Sequence, residues 1–177
     1  MADGTLKVGT ITTSSGSGTI TLGQSGETVD MSNGTVTGLT TGKILQVVST
    51  VRAVEITTSS TSYVTTDCTA SITPSSTSSK VLVMIAGSGR QNDDGGTAKF
   101  TVYRDSTDLA TGTPGFSEIS ATGATYVKAP YVIIFLDSPS STSAVAYTLY
   151  MRNQTSTTCR ACHNNTDTTV TLLEIAG

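Results

Sequence analysis

The residues best equipped for chemistry lie together near the C-terminus, in Cys159-Arg160-Ala161-Cys162-His163. Read literally, this is the Cys-x-x-Cys-His pattern of c-type haem attachment, with the histidine as axial ligand. The surroundings argue against that chemistry. Gln154-Thr-Ser-Thr-Thr before it and Asn164-Asn-Thr after it are polar turn sequences, without the apolar helices that enclose a macrocycle. With Cys68, the same residues form a Cys₃His set suited to zinc, because thiolate and imidazole both bind that ion. On a strand, however, Cys159 and His163 share one face and Cys162 points to the other, so a tetrahedral site needs a turn there. The expectation is no metal and no cofactor, with small buried cysteines. Their odd number does not suit a disulfide framework.

A second cluster, Asn92-Asp93-Asp94-Gly95-Gly96, reads as an exposed acidic loop between strands. It is the candidate binding loop, for a cation or a glycan, although its residues are also those of an ordinary turn. Catalysis has little to work with. His163 is the only histidine, no Gly-x-Ser-x-Gly elbow occurs, and Gly87-Ser-Gly-Arg-Gln-Asn lacks the lysine of a phosphate loop. A glycosidase would need two acids facing one cleft. Asp93, Asp94, Asp105, Asp108 and Glu118 are the candidates, although loop carboxylates are usually just solvated. The chain is therefore expected not to be an enzyme. Tyr63, Tyr126 and Tyr147 could stack on sugar rings, though core packing is the commoner fate of such side chains.

The elements that must position these residues are strands. Of 177 residues only 13% are charged, and roughly a third are serine or threonine. No stretch has helical periodicity. From Lys43 onward, strand patterns at Ile44–Ile56, Ser62–Thr73, Lys80–Ala86, Ala98–Arg104, Tyr126–Leu136, Ala144–Arg152 and Thr168–Ile175 alternate with turn clusters. A weaker strand is expected at Ser156–His163, a loop over residues 87–96, and an interruption or bulge at Pro130. Phe100 and Val102 should share one face and Tyr103 the other. Such spacing predicts an antiparallel β-sandwich, with a jelly roll preferred, over residues 43–177.

Residues 1–42 differ. Gly9-Thr-Ile-Thr, Gly18-Thr-Ile-Thr and Gly34-Thr-Val-Thr are short threonine-rich strand patterns with too few apolar residues to build a core alone. They are expected to form an N-terminal attachment or trimerisation region that needs partners. A net charge of −3 argues against nucleic acid, and the longest apolar run, Tyr131–Leu136, is too short for a membrane span. The start of the chain lacks a basic, apolar leader, so no secretory signal is expected.

Several phrases together resemble tail-fibre-like and other virion structural proteins of tailed phages, particularly marine ones. They are Gly18-Thr-Ile-Thr-Leu-Gly-Gln-Ser-Gly, Ile44-Leu-Gln-Val-Val-Ser, Ser71-Ile-Thr-Pro-Ser-Ser-Thr-Ser-Ser-Lys-Val-Leu-Val, Val102-Tyr-Arg-Asp-Ser-Thr, Phe135-Leu-Asp-Ser-Pro and Thr169-Val-Thr-Leu-Leu-Glu-Ile. The resemblance implies a homotrimeric jelly roll similar to the C1q/tumour-necrosis-factor type, displayed on a virion. It implies contact with other virion proteins through residues 1–42, and with a host-surface glycan or protein through the sandwich. A capsid decoration or head-fibre protein is the alternative, and a carbohydrate-binding or carbohydrate-active sandwich is a second one. The Cys159–His163 cluster lies outside the resembling phrases.

Overall fold

A computed structural model describes residues 43–112, 114–155 and 157–177. The expectations for the N-terminal repeats fall outside the described residues. Within them the chain is all-β. In order come β1 (Ile44–Arg52), β2 (Ile56–Thr58), β3 (Val64–Ile72), β4 (Lys80–Asn92), β5 (Thr97–Arg104), β6 (Thr107–Asp108), β7 (Ser117–Ser120), β8 (Tyr126–Asp137), β9 (Val145–Asn153), β10 (Cys159–Ala161) and β11 (Thr168–Ile175). The described residues include no helix beyond a 3₁₀ turn at His163–Asn165, and none long and apolar enough to cross a membrane.

Two antiparallel sheets form a sandwich. The larger is built around the 13-residue β4, which pairs with β8 along one edge. Along its other edge it pairs with β11 over Lys80–Ala86 and β10 over Gly89–Gln91. β1 lies beyond β11, and β2 beyond β10. The smaller sheet runs β3-β9-β5, with β6 and β7 both paired to β5. Successive long strands cross between the sheets, giving the double-sheet order of a jelly roll. Strict alternation on β9 and β11 turns Val145, Tyr147, Leu149, Met151, Val170 and Leu172 inward. They meet Val81, Val83 and Ile85 of β4 and Phe100 and Val102 of β5, all fully buried, and Phe100 stacks on Tyr131 at 4.6 Å. As expected, Tyr103 points to the other face, where it stacks on Tyr150 at 4.1 Å.

Three sequence expectations need correction. Residues 87–92 continue β4 instead of starting a loop. Their glycines serve packing: a Cβ on Gly87 would meet Thr168 Oγ1 and, at 2.6 Å, Tyr131 Oη. One on Gly89 would meet Ile119 and Phe100 at 2.9 Å. Pro130 does not break β8, which is continuous opposite β4. Among the described residues β8 pairs as a strand with β4 alone, an edge position where proline is tolerated. The weak strand near the C-terminus spans only Cys159–Ala161, because Cys162 adopts a left-handed conformation (φ 50°, ψ 41°) that turns the chain.

Candidate functional site

The turn at Cys162 separates the residues that sequence proximity suggested would act together. Cys159 and Ala161 point into the core, and Cys162 is also fully enclosed. The Cys162 thiol meets Cys68, with the sulfurs 3.6 Å apart, and lies 3.3 Å from Thr168 Oγ1. Cys68 donating to Cys162 raises the Cys68 pKa and lowers that of Cys162. Cys159 stands apart beside Asn153, with burial pushing its thiol up to about 11. His163 takes another direction: its Nδ1 lies 3.0 Å from Glu55 Oε2. The four residues of the Cys₃His set are thus divided among three places. Among the described residues no group of three or more His, Cys, Asp or Glu side chains converges as metal ligands.

Glu55 organises the outer end of this region. Its Oε1 pairs with Arg160 at 2.6 Å, and its Oε2 accepts the Asn164 N–H at 2.9 Å as well as facing His163. Burial raises the Glu55 pKa, but these donors outweigh it and hold the carboxyl below its ordinary value. His163 is 4% exposed, and its Nε2 is enclosed without a hydrogen-bond partner. Beside it lies a cleft of about 320 Å³ shared with Ser88, Lys128, Ala129, Pro130 and Thr166.

The acidic segment is less of a loop than its sequence suggests. Asn92 is the last residue of β4, and its side-chain oxygen is buried. Asp93 and Asp94 are exposed, in a turn made by the positive φ of Asp93 (69°). Asp94 accepts the Gly123 N–H and so ties this turn to the β7–β8 connection. Of the three tyrosines, Tyr147 is core, its hydroxyl donating to Asp137 at 2.7 Å. Tyr63 is half-buried with Arg152 over its ring at 5.1 Å. Only Tyr126 offers substantial surface, at 47%.

The largest feature is one that no motif announced: the outward face of the larger sheet. The register aligns Val47–Leu173–Leu82–Leu136 straight across four strands. The next row is Ser49–Thr171–Met84–Ile134, followed by Val51–Thr169–Ala86–Val132. Val47, Val51, Val132, Ile134 and Leu136 are each more than half exposed. Leu45 and Met84 add to them at 49% and 38%. Farther along the same face the composition reverses. Lys128 lies opposite Arg90, Arg90 opposite Arg160, and Tyr126 opposite Asn92. One signal for the apolar half exists in the sequence. Uninterrupted apolar runs such as Val81–Ile85 and Tyr131–Leu136 belong to strands covered on both faces, and alternation alone covers one. The basic row has no such signal, since its members are far apart in sequence and only the register joins them.

Compared with known proteins, the chain matches no family model and no curated protein.

Proposed function

We propose that the chain is a non-enzymatic structural protein of a phage virion, a homotrimeric fibre or fibre-like appendage that takes part in assembly and host-surface attachment. The observation that carries the self-assembly is the apolar half of the outer face. Its three aligned rows leave on the order of several hundred Å² of apolar surface in one patch, at or above the largest patch of an ordinary monomer. A stable partner interface buries about 800 Å² per side, so the patch and its rim are of the size that a second copy of the chain would cover. Residues 1–42 are the region expected to assemble with partners. The number three and the virion setting come from the phrase resemblance across the chain, with which the jelly-roll order agrees. Arg104, Asp137 and Tyr147 form a hydrogen-bonded corner between the sheets, with distances of 2.7–2.9 Å, a rigid frame for a displayed domain.

Two measurements test the reading. Light scattering of the purified chain should give a native mass near three times 18.1 kDa; a monomer at micromolar concentration overturns the trimer. Antibody labelling of intact particles should mark the tail. Label over the head would replace the fibre by a shell decoration, and no label would remove the virion reading.

A further inference from the structure

We propose that the cationic row Lys128–Arg90–Arg160, together with the Tyr126 ring and the cleft beside His163, is a binding site for an acidic polysaccharide. The proposal deepens the attachment reading by naming the ligand class, but its geometry is independent of the trimer.

Folding alone does not account for this row. The register sets three cations side by side across three strands, roughly 4.8 Å from one strand to the next. Like charges directly opposite one another in a sheet are destabilising. One acid, Glu55, compensates one of them, Arg160. Among the described residues Arg90 and Lys128 form no ion pair. Of the other acids, Asp93 and Asp94 sit in the turn that follows β4, and Asp167 lies beyond the His163 turn. The Nε atoms of Arg90 and Arg160 and Nε2 of His163, three of the seven such atoms among the described residues, are enclosed without a hydrogen-bond partner. The chain has ten basic residues and a net charge of −3. The other opposed cation pair, Lys99 and Arg152 on the smaller sheet, has Glu118 opposite Lys99 on the next strand, whereas Arg90 has cations opposite it on both sides.

The flanking groups select a saccharide among anions. The exposed Tyr126 ring carries Arg90 over it at 4.3 Å and Lys128 at 5.6 Å, which fixes both cations near an amphipathic platform. The cleft is lined by Asn164 and by the Ser88 and Thr166 hydroxyls, which hydrogen-bond each other at 2.7 Å and keep acceptor lone pairs for a ligand hydroxyl, and by Ala129 and Pro130 for the C–H face of a ring. Lys128 belongs to both row and cleft, so one ligand residue in the cleft places the next along the row. A nucleic acid is the poorer match. Its affinity grows with the number of phosphates neutralised, and single strands are held on successive aromatic platforms. Here three cations and one exposed tyrosine are available.

The test is binding of the full chain to labelled alginate, a carboxylated polysaccharide, with uncharged dextran and a deoxythymidine oligonucleotide as comparators. The wild type should bind alginate, lose affinity as salt rises, and ignore dextran. The double variant Arg90→Gln/Lys128→Gln should weaken alginate binding about tenfold or more while its melting temperature holds or rises. Failure of the wild type to bind alginate overturns the proposal, as does undiminished binding by the variant. An oligonucleotide bound more tightly than alginate overturns the choice of ligand class. Native mass on the same samples reads the trimer separately, because the substituted residues lie outside the apolar rows.

Discussion

The outer face of the larger sheet is two surfaces on one set of strands. Over Leu82–Ala86 and Val132–Leu136 it is hydrocarbon, whereas over Arg90 and Lys128 it is cationic. The layer beneath changes at the same point. Under the apolar half lie Val83, Ile85, Ile133 and Leu172. Under the basic half lie Gly89, Cys159 and Ala161 and a buried amide network, in which Asn153 donates to Gln91 Oε1 at 2.7 Å and Gln91 to Thr157 Oγ1 at 2.8 Å. The half with an apolar outer surface rests on the tightly packed aliphatic core, and the half with charge outside rests on small and polar residues. A sheet built this way can devote one half to association and leave the other free for a ligand.

The comparison breaks most visibly if charge enters the apolar half. Met84 and Ile134 are direct cross-strand neighbours in its middle row. Met84→Lys/Ile134→Glu, which sets opposite charges across the strands, should convert a three-chain mass to a one-chain mass. Both side chains point outward, so each substitution should change the stability of the isolated fold by no more than about 0.5 kcal/mol. Asn92→Lys, in the basic half, should leave the mass unchanged. Equal effects from the two would mean that the face is not divided as described.

The second way to sharpen it lies near the turn that ends β10. Cys68 lies within a bulge in β3, where the register jumps from Thr65 to Thr69 and Asp67 takes a φ of 56°. Cys162 itself has a φ of 50°. Two left-handed non-glycine residues, each of them costly, bring these two thiols together across the sandwich. An added peroxide, accepting two electrons and two protons from the pair, should yield a Cys68–Cys162 disulfide and leave Cys159 free. Mass spectrometry would read the loss of two hydrogens and one remaining alkylatable thiol. The closed loop spans most of the domain, so oxidation should add up to about 4 kcal/mol. A disulfide through Cys159 instead would contradict the arrangement.

At the opposite end of the sheet, under the apolar half, sits Glu174, 1% exposed. Burial raises its pKa, but Ser75 N and Oγ on one oxygen and Gln46 Nε2 on the other, at 2.6–2.7 Å, outweigh it and bring the value down to about 2. A lowered carboxyl contributes stability above its ordinary 4.5 and loses it as pH falls toward 2. The melting temperature should therefore be flat above pH 5 and decline below it. Glu174→Gln should cost about 1.5–3 kcal/mol at neutral pH and flatten the acid limb, as thermal scans across pH would record.

How much of this was legible in the sequence depended on the range of the signal. Alternation along β5 put Phe100 and Val102 on one face and Tyr103 on the other directly, because the period is local. Gly87 and Gly89 misled, since in sequence a glycine that admits Tyr131 or Phe100 looks the same as one that makes a turn. Cys159, Cys162 and His163 misled for a related reason. Adjacent in sequence, they part at a single left-handed residue, and their partners Cys68 and Glu55 are more than ninety positions away. The row of Lys128, Arg90 and Arg160 depends wholly on the register of three strands, which no pattern along one of them encodes.

The smallest effect probes the row most directly. Lys128→Glu would set a carboxylate opposite Arg90 in place of a like charge. An opposite pair across a sheet is worth about 0.2–1 kcal/mol, and the repulsion it replaces costs a similar amount. The variant should therefore melt a few degrees higher, at roughly 3 °C per kcal/mol for a domain of this size. Lys128 is exposed, so the gain should fade as salt screens the pair. Alginate binding should fall in the same variant. Stability and binding moving in opposite directions is the mark of a site kept for a ligand at the expense of the fold. If Lys128→Glu lowers the melting temperature, the cations are not in conflict in the native sheet, and the basic half becomes an ordinary solvated surface.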